Sequence, residues 1–524
     1  MDLPKWNLFI LILIIALFCT ACQPENFLEE GLQGDQRDQG DENADEAAEP
    51  EQEGGDGVSD LPVVTMDQFI GINAFIDDPI ERIQVAGFVR EYHNWAWCEG
   101  NGDPNYPGYP NNQNKFYRTN PGWNFDRYYQ RLNSVGIMVF PCIQGGVDWL
   151  DLPKLKINYK PINKGANTQK PESYMAHADH MFQYAARYGS TVVADEKLKL
   201  APSEPRLSGL GLIQYYEDWN EQNNWWDGPN ANFDPWEYAA MASADYDGHL
   251  GTLGDTVGIK NADPNAKLVM GGLAGLNLEY IKAMKYWADT HRGGSFPADV
   301  LNFHHYCTDG KRGISPEKDG FKEKVMELVR YRDEVLPDKE LWITEFGYDT
   351  HPDSPQTAGT ELRQAQWLVR SFLILASTGI ERAAMYMLRD VDPNDSTQYS
   401  TSGLVSSKET GWVPKMSWYF VYTLRNTLTN MVFDKEIESG NENVWIYHFV
   451  DVDGKRGAYA LWCPTEEDLT VPGYSLRLPD GVTEAKLVTM EDKKINGNTE
   501  KLSLENQTVK VDVSETPIFV VYEK

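Results

Sequence analysis

The sequence predicts an α/β chain: a (β/α)8 TIM barrel followed by a C-terminal β-sandwich domain. Between residues 66 and 428, eight short apolar runs alternate with stretches whose apolar residues recur every three or four positions. That is the pattern of strands alternating with amphipathic helices around a parallel sheet. Two of the runs end abruptly in a carboxylate, at Glu221 within YYEDWNEQN (215–223) and at Glu345 within WITEFG (342–347). Strand ends that deliver acids to one rim are where a parallel barrel keeps its chemistry. Beyond about Asp434 the helical spacing stops and only short alternating runs remain, the reading of a small sandwich.

The elements follow in chain order. Residues 1–22 read as a lipoprotein signal peptide. Lys5 precedes an apolar run, Leu8 to Phe18, too short to span a bilayer comfortably. The run closes on Phe18-Cys19-Thr20-Ala21-Cys22, which resembles the lipobox of bacterial lipoproteins, although Cys19 stands where such boxes commonly carry Leu. The resemblance implies lipidation at Cys22; the plainer alternative is an ordinary cleaved signal. Residues 23–60 hold 14 Asp or Glu and one Arg with no apolar periodicity. Such a segment cannot bury enough surface to fold and reads as an acidic disordered tether. The whole chain carries −32 and Asp2 cancels Lys5, so residues 61–524 retain −19. An acidic body argues against nucleic acid gripped by a basic groove and suits a neutral polymer.

Residues 61–432 form the predicted barrel. Strands are expected at Phe69–Asn73, Gly87–Tyr92, Gly136–Ile143, Gly211–Trp219, Lys267–Leu273, Val300–Tyr306, Leu341–Glu345 and Arg382–Leu388. Helices are expected at Asn124–Asn133, Glu172–Tyr188, Leu278–His291, Phe321–Val335, Thr360–Ser377 and Lys415–Leu428. The stretch Glu99–Gly122, rich in Asn, Pro, Gly and Tyr, reads as a long loop of the kind that builds a cleft. Residues 433–524 form the predicted sandwich, with strands at Val444–Val450, Gly457–Trp462, Tyr474–Leu478, Ala485–Thr489, Thr508–Val513 and Ile518–Tyr522. Beyond Cys19 and Cys22, only Cys98, Cys142, Cys307 and Cys463 remain, which is no disulfide framework. A single bridge between Cys98 and Cys142 at the barrel rim stays open.

On a regular strand Asn220 and Glu221 point to opposite faces. For both to serve one cleft, the strand must end or bulge there. Shielded by Trp219, Trp225 and Trp226, the Glu221 carboxyl would keep a proton, as a general acid requires. The alternative is a surface Asn-Glu pair opening a helix. Glu345 ends the seventh strand, and Gly347 permits a tight turn after it. Partners that could keep Glu345 ionised come from other strand ends. Arg90 lies on the second, and Asn302, His304 and Tyr306 share one face of the sixth.

These residues resemble glycoside hydrolase clan A, retaining barrel glycosidases with an Asn-Glu at the end of strand four and a Glu at the end of strand seven. The likeness extends to families 39, 30 and 51, in which a β-sandwich follows the barrel. It implies that Glu221 is the acid/base and Glu345 the nucleophile, with Asn220, Arg90, His304 and Tyr306 around them. It implies double displacement, with the two carboxyls about 5 Å apart. Clan members often carry a Trp on strand eight beneath the sugar; Tyr386 occupies that strand here. Trp95, Trp97, Trp149, Trp225, Trp226 and Trp412 follow predicted strands, where rings could stack on sugars or pack the core. Arg389, just past strand eight, is a further candidate for substrate contact.

His304, His305 and Cys307 invite a metal reading, but alternation separates the two histidines and no third ligand is spaced to help, so no metal is expected in catalysis. There is no phosphate-binding glycine loop and no Ser-His-Asp signature. The expected protein is a retaining glycosidase of poly- or oligosaccharides, without cofactor. Its expected place is a bacterial membrane, held by lipid at the periplasmic or outer side of the outer membrane. The alternative is a non-catalytic glycan-binding lipoprotein, which has no reason to keep both Glu221 and Glu345.

Overall fold

The computed structural model describes residues 61–99, 116–120, 123–147, 149–150, 158–202 and 204–523. The expected signal peptide, the tether and most of the expected loop 99–122 lie outside the described residues. Among the described residues, no helix is long and apolar enough to cross a membrane.

Eight parallel strands close into a barrel: β1 (Ile70–Asn73), β2 (Phe88–Asn94), β3 (Met138–Gln144), β4 (Tyr215–Asn220), β5 (Lys267–Ala274), β6 (Val300–His304), β7 (Glu340–Glu345) and β8 (Arg382–Met385). Each strand pairs with its sequence neighbour, and β8 returns to β1, with Ile70 opposite Ala383. All eight coincide with predicted strands, but β4 starts at Tyr215 rather than Gly211. Gly209 and Gly211 take φ of 65° and 64°, a left-handed conformation that no strand continues through.

The principal helices are α1 (Phe125–Ser134), α2 (Met175–Tyr188), α3 (Pro235–Asp247), α4 (Leu278–His291), α5 (Phe321–Val335), α6 (Glu361–Ala376) and α7 (Met416–Thr427). Six match the apolar periodicity. The sequence reading missed α3, whose small residues Ala239 to Ala244 are buried all round and give no polar stripe. Its start was nonetheless legible: Pro235 opens it, Asp234 accepts from Glu237 N, and the Glu237 side chain accepts from Asp234 N.

Period two along the strands stacks the barrel interior in layers. At the bottom Phe88, Phe140, Tyr215, Val269, Val300, Trp342 and Ala384 form a closed apolar plug. A Cβ on Gly71 would lie 2.1 Å from the Phe88 ring, so only glycine leaves that ring its place. Two residues further along, Asn73, Arg90, Glu217, Asn302 and Thr344 form a buried polar layer. Above it, at the strand C-terminal ends, lie the acids singled out in the sequence.

The C-terminal region is antiparallel. A six-stranded sheet runs β9 (Met431–Glu436), β10 (Trp445–Asp451), β11 (Arg456–Trp462), β16 (Ile518–Glu523), β13 (Glu484–Thr489) and β14 (Asn498–Lys501). A ribbon of β12 (Thr470–Arg477) and β15 (Thr508–Ser514) covers one face, burying Leu476, Val509 and Val511 against Ile446, Leu461 and Val520. Tyr447, Phe449, Ala460 and Trp462, on the other face, join the barrel's own core. The two strands missed in the sequence, β9 and β14, are the sheet's edges. Their exposed polar residues show no apolar alternation.

Candidate active site

The chain leaves β4 irregularly. Trp219 has φ 88° and Glu221 φ 45°, left-handed conformations that cost non-glycine residues about 1–3 kcal/mol each. The polar residues after Glu221 hold this turn. Glu221 N donates to Gly272 O (3.0 Å) and Gln222 Nε2 to Gly271 O (2.8 Å). Asn223 both donates to Ala274 O and accepts from Ala274 N. The run Asn-Glu-Gln-Asn thus clamps the end of β4 to β5. The turn brings Asn220 and Glu221 to the same rim: Asn220 Oδ1 accepts from Arg90 Nη2 (2.8 Å), and Glu221 Oε1 lies 3.1 Å from His304 Nδ1.

Glu345 ends β7 almost fully buried and surrounded by donors. Its Oε1 accepts from Arg90 Nη1 (2.6 Å) and from the Tyr92 hydroxyl; its Oε2 accepts from the Tyr306 hydroxyl (2.9 Å) and lies 3.6 Å from His304 Nδ1. Burial alone would push this carboxyl up. His304, Arg90 and the Tyr92 and Tyr306 hydroxyls outweigh it and hold Glu345 below its ordinary 4.5. The pairings of Arg90 and Tyr306 with Glu345 anticipated from the strand ends are therefore present.

Arg90 is fully buried. Nε donates to Glu217 Oε2 (2.5 Å), Nη2 to Glu217 Oε1 (2.9 Å), and Nη1 also to Asn73 Oδ1 (3.0 Å). Burial opposes its charge, but Glu217 foremost, then Cys142, Tyr92 and Glu345, hold the guanidinium well above its ordinary value. The fork thus binds Glu217 bidentately and still reaches both Glu345 and Asn220.

A chain of hydrogen bonds orients His304. Asn302 Nδ2 donates to Glu217 Oε1 (3.0 Å), which leaves Asn302 Oδ1 to accept from Thr344 Oγ1 (2.8 Å). With its proton committed, Thr344 Oγ1 accepts from His304 Nε2 (3.2 Å), and Nδ1 faces Glu221. One proton can therefore sit between Nδ1 and the Glu221 carboxyl, on either atom. One oxygen of Glu221, one of Glu345 and one nitrogen of His304 all lie within 4.8 Å of one another.

The remaining predicted residues divide. Tyr386 follows β8, its peptide to Met387 cis, and its ring meets Tyr92 edge-on (6.3 Å) and Tyr399 (5.4 Å). With Tyr306 these rings form an aromatic floor beside Glu345. Trp225 and Trp226 are 63% and 39% exposed on the loop after Glu221, open to a ligand. Trp219 does not shield Glu221 as expected; its ring packs against His177 and Phe233 in the outer layer. Trp95 is a correction as well: it is 0% exposed, packed against Trp149, His177 and His180, with Nε1 donating to Glu99 Oε2 (2.8 Å). Arg389 donates to Asp77 (2.8 Å) and to Asp78 and lies over the Phe75 ring, so its charge is engaged within the protein. Cys98 and Cys142 are free: Cys142 donates to Trp219 O, whereas Cys98 lies beside His93.

Residues the sequence reading missed are Tyr92, Asn73, Glu217 and Thr344. Period two was the available signal, since it places Tyr92 on the face of Arg90 and Glu217 on the face of Tyr215. Among the described residues, three groups have the donor types and spacing for a cation: Glu221, His304 and Glu345; His305, Cys307 and Asp319; and His177, Asp218 and Asp245. In the first, the Arg90 guanidinium on Glu345 would repel a cation. In the second, Asp319 supplies the third ligand that sequence spacing did not reveal, but its Oδ2 already meets His305 Nε2 (2.7 Å) and Lys324 Nζ (2.9 Å).

No protein-family model and no curated protein matches the chain. Solved structures do. A family 39 glycoside hydrolase from Bacteroides cellulosilyticus WH2 aligns at TM-score 0.58 and 14% identity, over 88% of this chain and 83% of that one. A family 30 endoxylanase from Clostridium papyrosolvens C71 aligns at 0.52 and 11%, over 88% and 98%. An α-L-arabinofuranosidase from Thermotoga maritima aligns at 0.55 and 12%, over 88% and 97%. At such identities the likeness is one of fold: the chain has the barrel-plus-sheet architecture of these glycoside hydrolases.

Proposed function

We propose that this protein is a retaining β-glycosidase acting on a poly- or oligosaccharide, with Glu345 as nucleophile and Glu221 as acid/base. One observation carries the reading: oxygens of the two carboxyls lie within 4.8 Å of each other, in sharply different surroundings. Retaining pairs are spaced by about 5–5.5 Å, whereas inverting pairs leave about 6.5–9.5 Å for a water. Glu345 accepts hydrogen bonds from three donors, Arg90, Tyr92 and Tyr306, whereas Glu221 is 24% exposed and shares a proton position with His304.

In the first step a Glu345 oxygen bonds to the anomeric carbon as the glycosidic C–O bond breaks, and Glu221 gives its proton to the departing oxygen. In the second, Glu221 takes a proton from water, the hydroxide oxygen bonds to the same carbon, and Glu345 leaves as carboxylate. Arg90 and the two tyrosine hydroxyls stabilise that carboxylate each time it is restored. The aromatic floor and the exposed Trp225 and Trp226 supply surfaces for sugar rings, and the acidic body suits a neutral glycan. Lipidation at Cys22 would tether the enzyme to an outer membrane through the acidic segment.

The test is hydrolysis of a broad glycan panel by the full chain beside Glu221→Ala and Glu345→Gln, with the first-formed anomer read by NMR. Cleavage with β products from β substrates, lost in both variants, supports the proposal. Inverted product overturns the retaining mechanism. Binding across the panel without cleavage makes the protein a glycan-binding lipoprotein instead.

A further inference from the structure

Asp218 lies one residue past Glu217 on β4, so the two point to opposite faces of the barrel wall. Glu217 faces inward to Arg90. Asp218 faces outward into the layer between β4 and its covering helices, where α2 contributes His177 and α3 contributes Asp245. All three side chains are wholly buried. His177 Nδ1 lies 2.8 Å from Asp245 Oδ2, and one donor atom from each residue falls within 4.8 Å of the others. The walls are indole rings: Trp95 meets the His177 ring at 5.4 Å and Trp219 at 5.9 Å.

This cluster lacks donors at both oxygens of one carboxyl and at one oxygen of a second. Among the described residues, Asp218 Oδ1 and Oδ2, Asp245 Oδ1 and His177 Nε2 have no hydrogen-bond partner. Burial acts most strongly on Asp218, followed by Asp245, whose carboxyl can bond to it through a shared proton, then His177 and Glu217, with no lysine or arginine among them. Elsewhere in the same layer Asp126 is held by Arg187, whereas Glu99 accepts from Trp95 Nε1 at one oxygen and has no hydrogen bond at the other, which lies 3.0 Å from His180 Nδ1. Each buried acceptor left unsatisfied costs about 1–3 kcal/mol, and an unpaired buried charge costs more. Two carboxyls facing one imidazole in a dry compartment therefore need either protons or a cation between them.

We propose that His177, Asp218 and Asp245 form a buried binding site for a divalent transition-metal ion of the zinc class. One imidazole nitrogen and carboxylate oxygens are donors such ions accept. One oxygen of Asp218, one of Asp245 and one nitrogen of His177 supply three protein ligands. Bonds of about 2.0–2.2 Å at tetrahedral angles set ligand atoms about 3.3–3.5 Å apart. The spacing in the cluster already falls inside 4.8 Å, and the 2.8 Å His177–Asp245 contact needs to open by about 0.5–0.7 Å. The ion's role is structural. It ties α2 and α3 to the outer face of β4 two residues before Asn220, where the chain turns through left-handed conformations to present Glu221.

The test uses the full chain, purified from zinc-supplemented medium without chelators. Metal content is read by mass spectrometry, and thermal unfolding is followed before and after phenanthroline treatment and after zinc is restored. About one zinc per chain is expected, with a melting temperature that falls by several degrees on chelation and recovers with zinc. Asp218→Asn and Asp245→Asn, close in shape, should bind no zinc and melt indifferently to chelator. Two results overturn the proposal. One is a metal-free wild type whose melting is unmoved by chelator, zinc or manganese, which leaves the two carboxyls sharing protons. The other is full zinc occupancy in folded Asn variants, which places the ion elsewhere. The wild-type arm decides even if the variants fail to fold.

Discussion

Arg90 Nη1 meets Glu345 Oε1 at 2.6 Å while the opposite edge of the same guanidinium is clamped on both oxygens of Glu217. Glu217 thereby acts at a distance. It fixes the fork, and the fork fixes the nucleophile and Asn220 together. Only a planar group with several fixed donors can serve these acceptors at once. Arg90→Lys keeps the charge but offers a single ammonium. Turnover should fall about 100-fold or more from misplacement of Glu345, with a stability loss of about 3 kcal/mol from the partly unpaired Glu217. Turnover and denaturant melts on the same preparation check both, and a variant of near wild-type turnover would remove Arg90 from its positioning role.

The Tyr92 hydroxyl is a second donor to the same oxygen of Glu345. The carboxyl sits below its ordinary 4.5 in the folded protein, so folding releases its proton. This contribution to stability is present above the unfolded value and fades as pH falls through the lowered one. For catalysis, the acid limb of kcat/KM set by Glu345 should lie below pH 4.5. Tyr92→Phe keeps the ring and deletes one charge-assisted hydrogen bond, worth about 1.5–3 kcal/mol. The acid limb should therefore move up by about one to two pH units. A profile that stays in place would show that the hydroxyl does not support the ionised form.

Much of this site was legible because parallel strands put their ends in one plane. An acid at the end of β4 and another at the end of β7 had to share a rim once the barrel closed. Period two also put Asn302 and His304 on one face of β6, as it put Tyr92 on the face of Arg90 in β2. What escaped was what no local pattern encodes. Whether Trp95 faces a sugar or the core depends on α2, over eighty residues away, whose His177 and His180 enclose it. Arg389 looked free because its partners, Asp77 and Asp78, lie at the far end of the barrel sequence. The edge strands β9 and β14 and the all-round buried α3 carry no periodic contrast between two faces.

The tryptophans give a paired prediction. Trp95 is enclosed and Trp225 is 63% exposed. Trp95→Ala should cost about 3–5 kcal/mol of stability, the usual penalty for a large core truncation. Trp225→Ala should leave unfolding within about 0.5 kcal/mol of wild type. If Trp225 stacks on a sugar, its loss should raise KM several-fold with kcat little changed, since the contact is made equally in ground and transition states. Equal KM in wild type and Trp225→Ala would leave that ring outside the substrate path.

Gly272 faces the His304 imidazole across the gap between β5 and β6. A Cβ there would lie 2.0 Å from His304 Nε2 and 2.4 Å from Cδ2, well inside contact distance, so the ring must move. It cannot move freely, because Nε2 is held by Thr344 and Nδ1 faces Glu221. Gly272→Ala should thus break one or both contacts, at a cost of about 1–3 kcal/mol in stability from overpacking. The larger effect is on the proton that Glu221 must hold and release. Substrates whose leaving group departs without protonation, such as dinitrophenyl glycosides, should lose little in the first chemical step. A natural glycan, whose poor leaving group needs the acid, should lose about 100-fold. Equal losses on both substrates would instead mean that the added methyl disturbs the cleft as a whole, and unchanged rates on both would remove His304 from the proton transfer.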